Sequence, residues 1–446
     1  MSPPPAQTER FGHPAGLWVL AGTELWERIS FKGMQAMLVL YASGELLQPG
    51  RAERVIGLSA FRNAVEQLTG PLSTNAFAAQ LFGIYIALVT MTPIIGGWFG
   101  DRLAGRRFAV ASGALLMTAG HFALAFDASF LAGLLLLILG AGLFRGNLSA
   151  QIRALYAAGD RRQADAFQLY ALAVNLGGFI APLSTGLLAK YWGWHAGFGF
   201  AGVGMLVGLV TYLAGSRHLP PDRRSAGSGS EAPAPTDRRA VLGLLLLWPL
   251  LVCFWIAQSQ VWNVYNLWAR DHADLMVLGF SVPVPWLAAL DSLAPILLAP
   301  LVITHWRRLA ARGREPRLLA KMATGCLLFA VAELLLVGGS LAADGGKVAL
   351  GWAFAFHLLS NAGWLYFVPV ETTLYAAHAP DRLRGTLLGV AALSISAGSL
   401  ISGRMGALYE TVSPVHYWGI NAALAGLGAL AIALLARPLR RLLPQG

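Results

Sequence analysis

Glu24, Glu27, Arg28 and Lys32 lie inside an otherwise apolar run, from about residue 14 to residue 42, that is long enough to cross a bilayer. A charged side chain at the centre of a spanning helix costs roughly 2.5 to 3.5 kcal/mol, so such residues usually face a bundle interior or a wet cavity and pair with one another. Helical spacing permits that here. Counting about 100° per residue from Glu24, Glu27 falls at about −60°, Arg28 at about 40°, Phe31 at about −20°, Lys32 at about 80° and Gln35 at about 20°. Acids and cations interleaved on one face can exchange ion pairs, hold a proton and receive an anionic group.

Two further spans carry polar stripes. Around residues 240–268, Trp255, Gln258, Ser259, Trp262, Asn263 and Asn266 fall within about 140° of helix surface; around 348–377, His357, Asn361, Trp364, Glu371 and Tyr375 fall within about 80°. A lone Asn or Ser in such a span reads as an interhelical hydrogen bond, whereas the sets read as cavity lining. Glu333 and Arg404 stay open between structural and functional roles. His121, His357 and His378 lack a paired ligand spacing and read as core or loop histidines, with no metal site expected. Nothing forms a nucleotide loop or a nucleophile with its base, so neither an enzyme nor ATP drive is expected.

The elements that must position these residues are set by composition. Of 446 residues 56% are hydrophobic and 12% charged, about half the charged share of an average soluble domain, which indicates an all-α membrane protein. Apolar runs predict twelve spans, near 14–42, 77–99, 108–126, 129–157, 165–189, 196–215, 240–268, 283–305, 318–340, 348–377, 385–409 and 414–437. The net charge of +11 comes from Arg and Lys on alternate loops, among them Arg106, Arg107, Arg307, Arg308 and Arg312. That bias makes those loops cytoplasmic, puts both termini inside the cell and removes the need for a nucleic-acid partner. A polar Gly/Ser/Pro-rich linker at 216–239 divides a six-helix bundle at 1–215 from a second at 240–446. Residues 54–68 of the long outer loop at 43–76 could form an amphipathic helix. Cys253 and Cys326 sit in apolar runs and read as core, and the polar N-terminus shows no signal peptide.

Four motifs carry a resemblance. Gly96-Gly97-Trp98-Phe99-Gly100-Asp101-Arg102-Leu103-Ala104-Gly105-Arg106-Arg107 resembles the turn after the second helix of major facilitators, with one extra residue between Arg102 and Gly105. Glu24-x-x-Glu27-Arg28-x-x-x-x-Gly33 resembles the first-helix signature of the proton-dependent oligopeptide transporter (POT/PTR) family. Leu139 to Ser149, containing Arg145, and Asn175-Leu176-Gly177-Gly178-Phe179-Ile180-Ala181-Pro182 are similar to that family's fourth and fifth helices. The likeness is patchier in the second half, resting on Phe254-Trp255, on Leu290-Asp291 through Pro300, and on Pro369.

The resemblance implies a major facilitator fold of two six-helix bundles rocking about a midplane site. It further implies a monomeric, proton-coupled symporter of di- or tripeptides in the bacterial inner membrane. Glu24, Glu27 and Arg28 would couple protons; Arg28, Lys32, Arg145, Asn175, Trp255, Gln258, Asp291, Asn361, Trp364 and Glu371 would meet substrate; Asp101 and Arg102 would gate. Arg145 stands where the family has a lysine, so it can clamp a carboxylate but is a poor proton switch, leaving coupling to the acids. Phe31 and Lys32 replace tyrosines, Gln35 stands where an arginine is common, and Thr90 replaces a tyrosine. Ser259 and Trp364 replace two glutamates, one of which binds the peptide amino terminus. Asp291 or Glu371 could supply the missing acid. A modified peptide, an amino acid conjugate or another organic anion is the alternative substrate, and a non-transporting receptor is the remaining alternative.

Overall fold

Inside a bilayer every backbone N–H and C=O must be satisfied within the protein, and a chain this apolar meets that requirement with helices. The computed structural model describes residues 8–157, 159–222, 238–380 and 383–443. Among the described residues twelve long helices follow one another: α1 (Ala15–Tyr41), α2 (Thr74–Phe99), α3 (Arg106–Leu124), α4 (Phe130–Ala154), α5 (Arg162–Trp192), α6 (Trp194–Ala214), α7 (Arg238–Trp262), α8 (Leu290–Ala311), α9 (Leu318–Ala342), α10 (Leu350–His378), α11 (Arg384–Tyr409) and α12 (Pro414–Leu442). Eleven spans among the described residues are long and apolar enough to cross a membrane. The twelfth, α1, has the length at 27 residues but carries the four charges of the stripe. Of the linker expected at 216–239, residues 223–237 lie outside the described residues.

Two spans end differently from the sequence expectation. The seventh breaks at Asn263, whose φ of −114° and ψ of −102° are not helical, and a separate helix, Val264–His272, carries Asn266. The eighth is preceded by a single turn, Pro285–Ala288, rather than running unbroken from 283.

The chain forms two compact units, Met1–Asn63 with Met91–Ser228, and Ala64–Thr90 with Gly229–Gly446. In the first, α1 packs on α5 and α6, while α3 packs on α4 and α6. Small residues set the α3–α4 distance: a Cβ on Gly113 would lie 2.7 Å from the Gly140 carbonyl oxygen, so the backbones touch where a side chain would part them. The outer loop is tied to this unit by Arg51, whose guanidinium donates to Asp127 at 2.6 Å and also pairs with Glu45, while its third nitrogen meets His195 at 2.9 Å. In the second unit α9 packs on α10 and α12, and α7 on α11 and α12. The first half of α2 belongs with it, through the Asn263 amide donating to the Ala79 carbonyl at 3.0 Å and Thr90 meeting Ser396 at 2.9 Å. The amphipathic segment is a helix, Leu58–Thr69, and Arg404 donates to its last carbonyl at 2.8 Å.

Candidate functional site

The charged stripe of α1 is buried and paired. Glu27 is 0% exposed. One of its carboxylate oxygens accepts from Arg145 Nε at 3.1 Å and Nη2 at 2.9 Å, and the other lies 2.5 Å from Arg28 Nη2. Arg28 Nε reaches Glu24 at 2.9 Å one turn back, the spacing that brings i and i+4 side chains together. The Arg145 guanidinium stacks on the Phe31 ring, 3.9 Å from its centroid, and Arg28 lies 5.5 Å from the same ring. Phe31, standing where a tyrosine is usual, therefore offers both arginines a π face instead of a hydroxyl.

Two features of α5 set this geometry. A Cβ on Gly177 would come within 2.7 Å of both Arg28 Cβ and the Leu25 carbonyl oxygen, so only glycine lets α5 run this close to the stripe. Two turns earlier on the same face, the Tyr170 hydroxyl lies beside Glu24. Sequence reasoning missed Tyr170; its seven-residue spacing from Gly177 was the available signal. Asn175 lies off this cluster, its amide donating to the Ala171 carbonyl of its own helix at 2.9 Å. Lys32, one turn beyond Arg28, is half-buried.

Four side chains in contact, two acids and two guanidiniums, thus form a balanced set. A carboxylate arriving at Arg145 would leave that set one negative charge in excess. A proton on Glu27 would restore the balance while freeing the arginine, which is the chemistry of a coupled anion site.

After α2, the segment Gly100–Ala104 winds as a π-turn, and Asp101 accepts from Arg106 Nε at 2.6 Å, whereas Arg102 points to the exposed surface. Arg107 closes the turn, donating from Nε to the Pro220 carbonyl at 2.8 Å. An exposed ion pair of this kind contributes little to stability and is easily exchanged.

In the second unit, Trp255 Nε1 donates to Glu371 at 3.4 Å, joining two expected site residues on α7 and α10. Ser259, one turn further, meets Ser399 at 3.0 Å. Gln258 is buried, and Trp364 is half-buried. Asp291, at the start of α8, is held from α10: His357 Nδ1 lies 2.8 Å from Oδ1, and the Asn361 amide donates to the same oxygen at 3.2 Å. The Asp291–His357 pair was not foreseen, because His357 carries no ligand spacing of its own. Glu333 on α9 is fully buried and neither carboxylate oxygen makes a hydrogen bond. Among the described residues no three His, Cys, Asp or Glu side chains converge as a metal site.

A profile of the POT family matches residues 107–229 and 223–418. A peptide transporter of Yersinia enterocolitica is 28% identical, with 97% of this chain and 96% of that protein covered. A di-/tripeptide transporter of Lactococcus lactis is 24% identical, over 97% of each. The chain superposes with a TM-score of 0.84 on a crystal structure of a peptide transporter POT mutant in complex with alafosfalin, at 27% identity and 98% coverage of both chains.

Proposed function

This chain belongs to the POT family, and on that footing we propose that it couples recognition of a substrate carboxylate to the uptake of a proton at Glu27. The protein is a proton-coupled symporter of di- or tripeptides or peptide-like substrates, working by alternating access. The observation that carries the coupling step is Glu27 itself, buried with one oxygen on Arg145 and the other on Arg28. The incoming carboxylate takes the Arg145 fork, which offers parallel N–H donors. Glu27, having lost one cation, accepts a proton from the outer solution, and the loaded set is again neutral. Inward movement of that proton supplies about 2.3 kcal/mol per 100 mV. Glu24, held by Arg28 with Tyr170 beside it, keeps Arg28 in place and is the second acid of the coupling set. Asp101 and Arg102 are assigned to gating, with Arg106 as the partner Asp101 releases. The basic loops support a reading with both termini in the cytoplasm, in a bacterial inner membrane, and we take the working unit to be a monomer.

Reconstituted Glu27→Gln protein should lose uphill, proton-driven uptake of dipeptides and keep counterflow of labelled against unlabelled substrate. Accumulation at the wild-type level in that variant would remove Glu27 from the coupling step.

A second reading rests on Ser259 and Trp364, which leave no free glutamate at those two positions, while Asp291 and Glu371 are already engaged by His357 and Trp255. It takes the substrate to be a modified peptide, an amino acid conjugate or another organic anion. Thermal stabilisation by free peptides and by their N-acetylated forms separates the two: loss on acetylation supports the ordinary peptide, with Asp291 or Glu371 reading its ammonium.

A further inference from the structure

We propose that Asp291 and His357 form a second proton-binding site, held entirely within the second unit and loaded at His357 Nε2. This rests on the proton-coupled reading above and adds a site to it. A carboxylate can only accept, so Nδ1 of the neutral imidazole must carry the hydrogen that meets Asp291 at 2.8 Å. That leaves Nε2 as the lone-pair nitrogen, and it is buried with no hydrogen-bond partner. A histidine kept for structure would normally satisfy both nitrogens; one that is 1% exposed and satisfies only one holds a vacant basic position.

The surroundings suit a proton that comes and goes. The imidazole is clamped edge-on against Tyr265, ring centroids 5.0 Å apart, with Phe356 at 5.2 Å, so it cannot turn away from its carboxylate. Asp291 keeps 14% of its side chain exposed, which gives water a route to the pair. The titratable groups beside the ring are Asp291 from α8 and Tyr265 from the helix Val264–His272, whose hydroxyl makes no hydrogen bond. Among the described residues Asp291 meets no lysine or arginine, so His357 is its one source of positive charge. With the imidazole neutral the pair carries one negative charge. A proton from water adds to Nε2, no other bond changes, and the resulting imidazolium–carboxylate pair is neutral and able to cross the low-dielectric stage of the cycle. Loss of the same proton to the opposite solution reverses the step.

The test is the ratio of protons to substrate, measured from the reversal of dipeptide flux in proteoliposomes at set pH gradients and membrane potentials. The wild type should move one proton per substrate more than His357→Gln, which still transports. His357→Asn is the second route should His357→Gln not fold, and should lower the ratio by the same amount. Equal ratios in the wild type and a folded variant would overturn the proposal, as would loss of all binding in a folded His357→Gln protein. A wild type that moves dipeptide with no proton at all would instead overturn the coupled reading on which this one rests.

Discussion

Removing the Arg145 side chain while keeping its bulk, as in Arg145→Met, probes whether Glu27 and Arg145 act as one unit. Arg145 offers two N–H contacts to a single Glu27 oxygen, at 3.1 and 2.9 Å, and stacks on Phe31 at 3.9 Å. Breaking a buried ion pair from one side costs about 3 to 5 kcal/mol. Here Arg28 still reaches the other oxygen at 2.5 Å, and Arg145 is 17% exposed, so the loss should fall to about 2 to 3 kcal/mol. In a Glu27→Gln background the ionic part with Glu27 is gone while the contact with Phe31, worth about 1 kcal/mol, is kept. The coupling energy between the two positions is then about 1 to 2 kcal/mol, above the roughly 0.5 kcal/mol within which independent sites add. Denaturant titration of the wild type, both single variants and the double variant in detergent micelles measures it. Strict additivity would refute the claim that the cluster is held as a balanced set and would leave the substrate-exchange step without its physical basis.

Gly177→Ala places a methyl 2.7 Å from the Leu25 carbonyl oxygen, where backbone must give way, so it should destabilise by about 1 to 3 kcal/mol and slow dipeptide uptake; wild-type melting in detergent would show that α5 is not held this close to α1. Trp255→Phe removes the donor to buried Glu371 and should destabilise by about 1 to 3 kcal/mol, with Glu371→Gln on that background recovering part of the loss in the same melting assay.

The stripe on α1 was legible because helical spacing is local: Glu24, Glu27 and Arg28 fall on one face of any helix drawn through them. Arg145 was also marked, by its motif, as the cation for a carboxylate. Its partner was not, since Glu27 lies 118 residues away and Glu24 offers an equivalent charge on the same face. The choice is made by how α1 lies against its neighbours, which Gly177 permits, with Tyr170 placed beside Glu24. At Asn175 type and place alone point to a ligand, and the structure adds one donated bond, to the Ala171 carbonyl of its own helix. The break at Asn263 was hidden because both sides of it read as one continuous apolar run.

Composition and periodicity by themselves determined that this is a helical membrane protein with a charged first span and polar faces on the seventh and tenth. Those properties follow from the hydrocarbon thickness and the pitch of a helix, which act residue by residue. Tertiary structure decided which acid meets which base. Glu27 joins Arg145 and Arg28, Asp291 joins His357, Glu371 joins Trp255, and Glu333 is left with no hydrogen bond. A partner in a low-dielectric interior is chosen by distances of a few ångströms between helices distant in sequence, and those distances are set by the small side chains that let one backbone approach another.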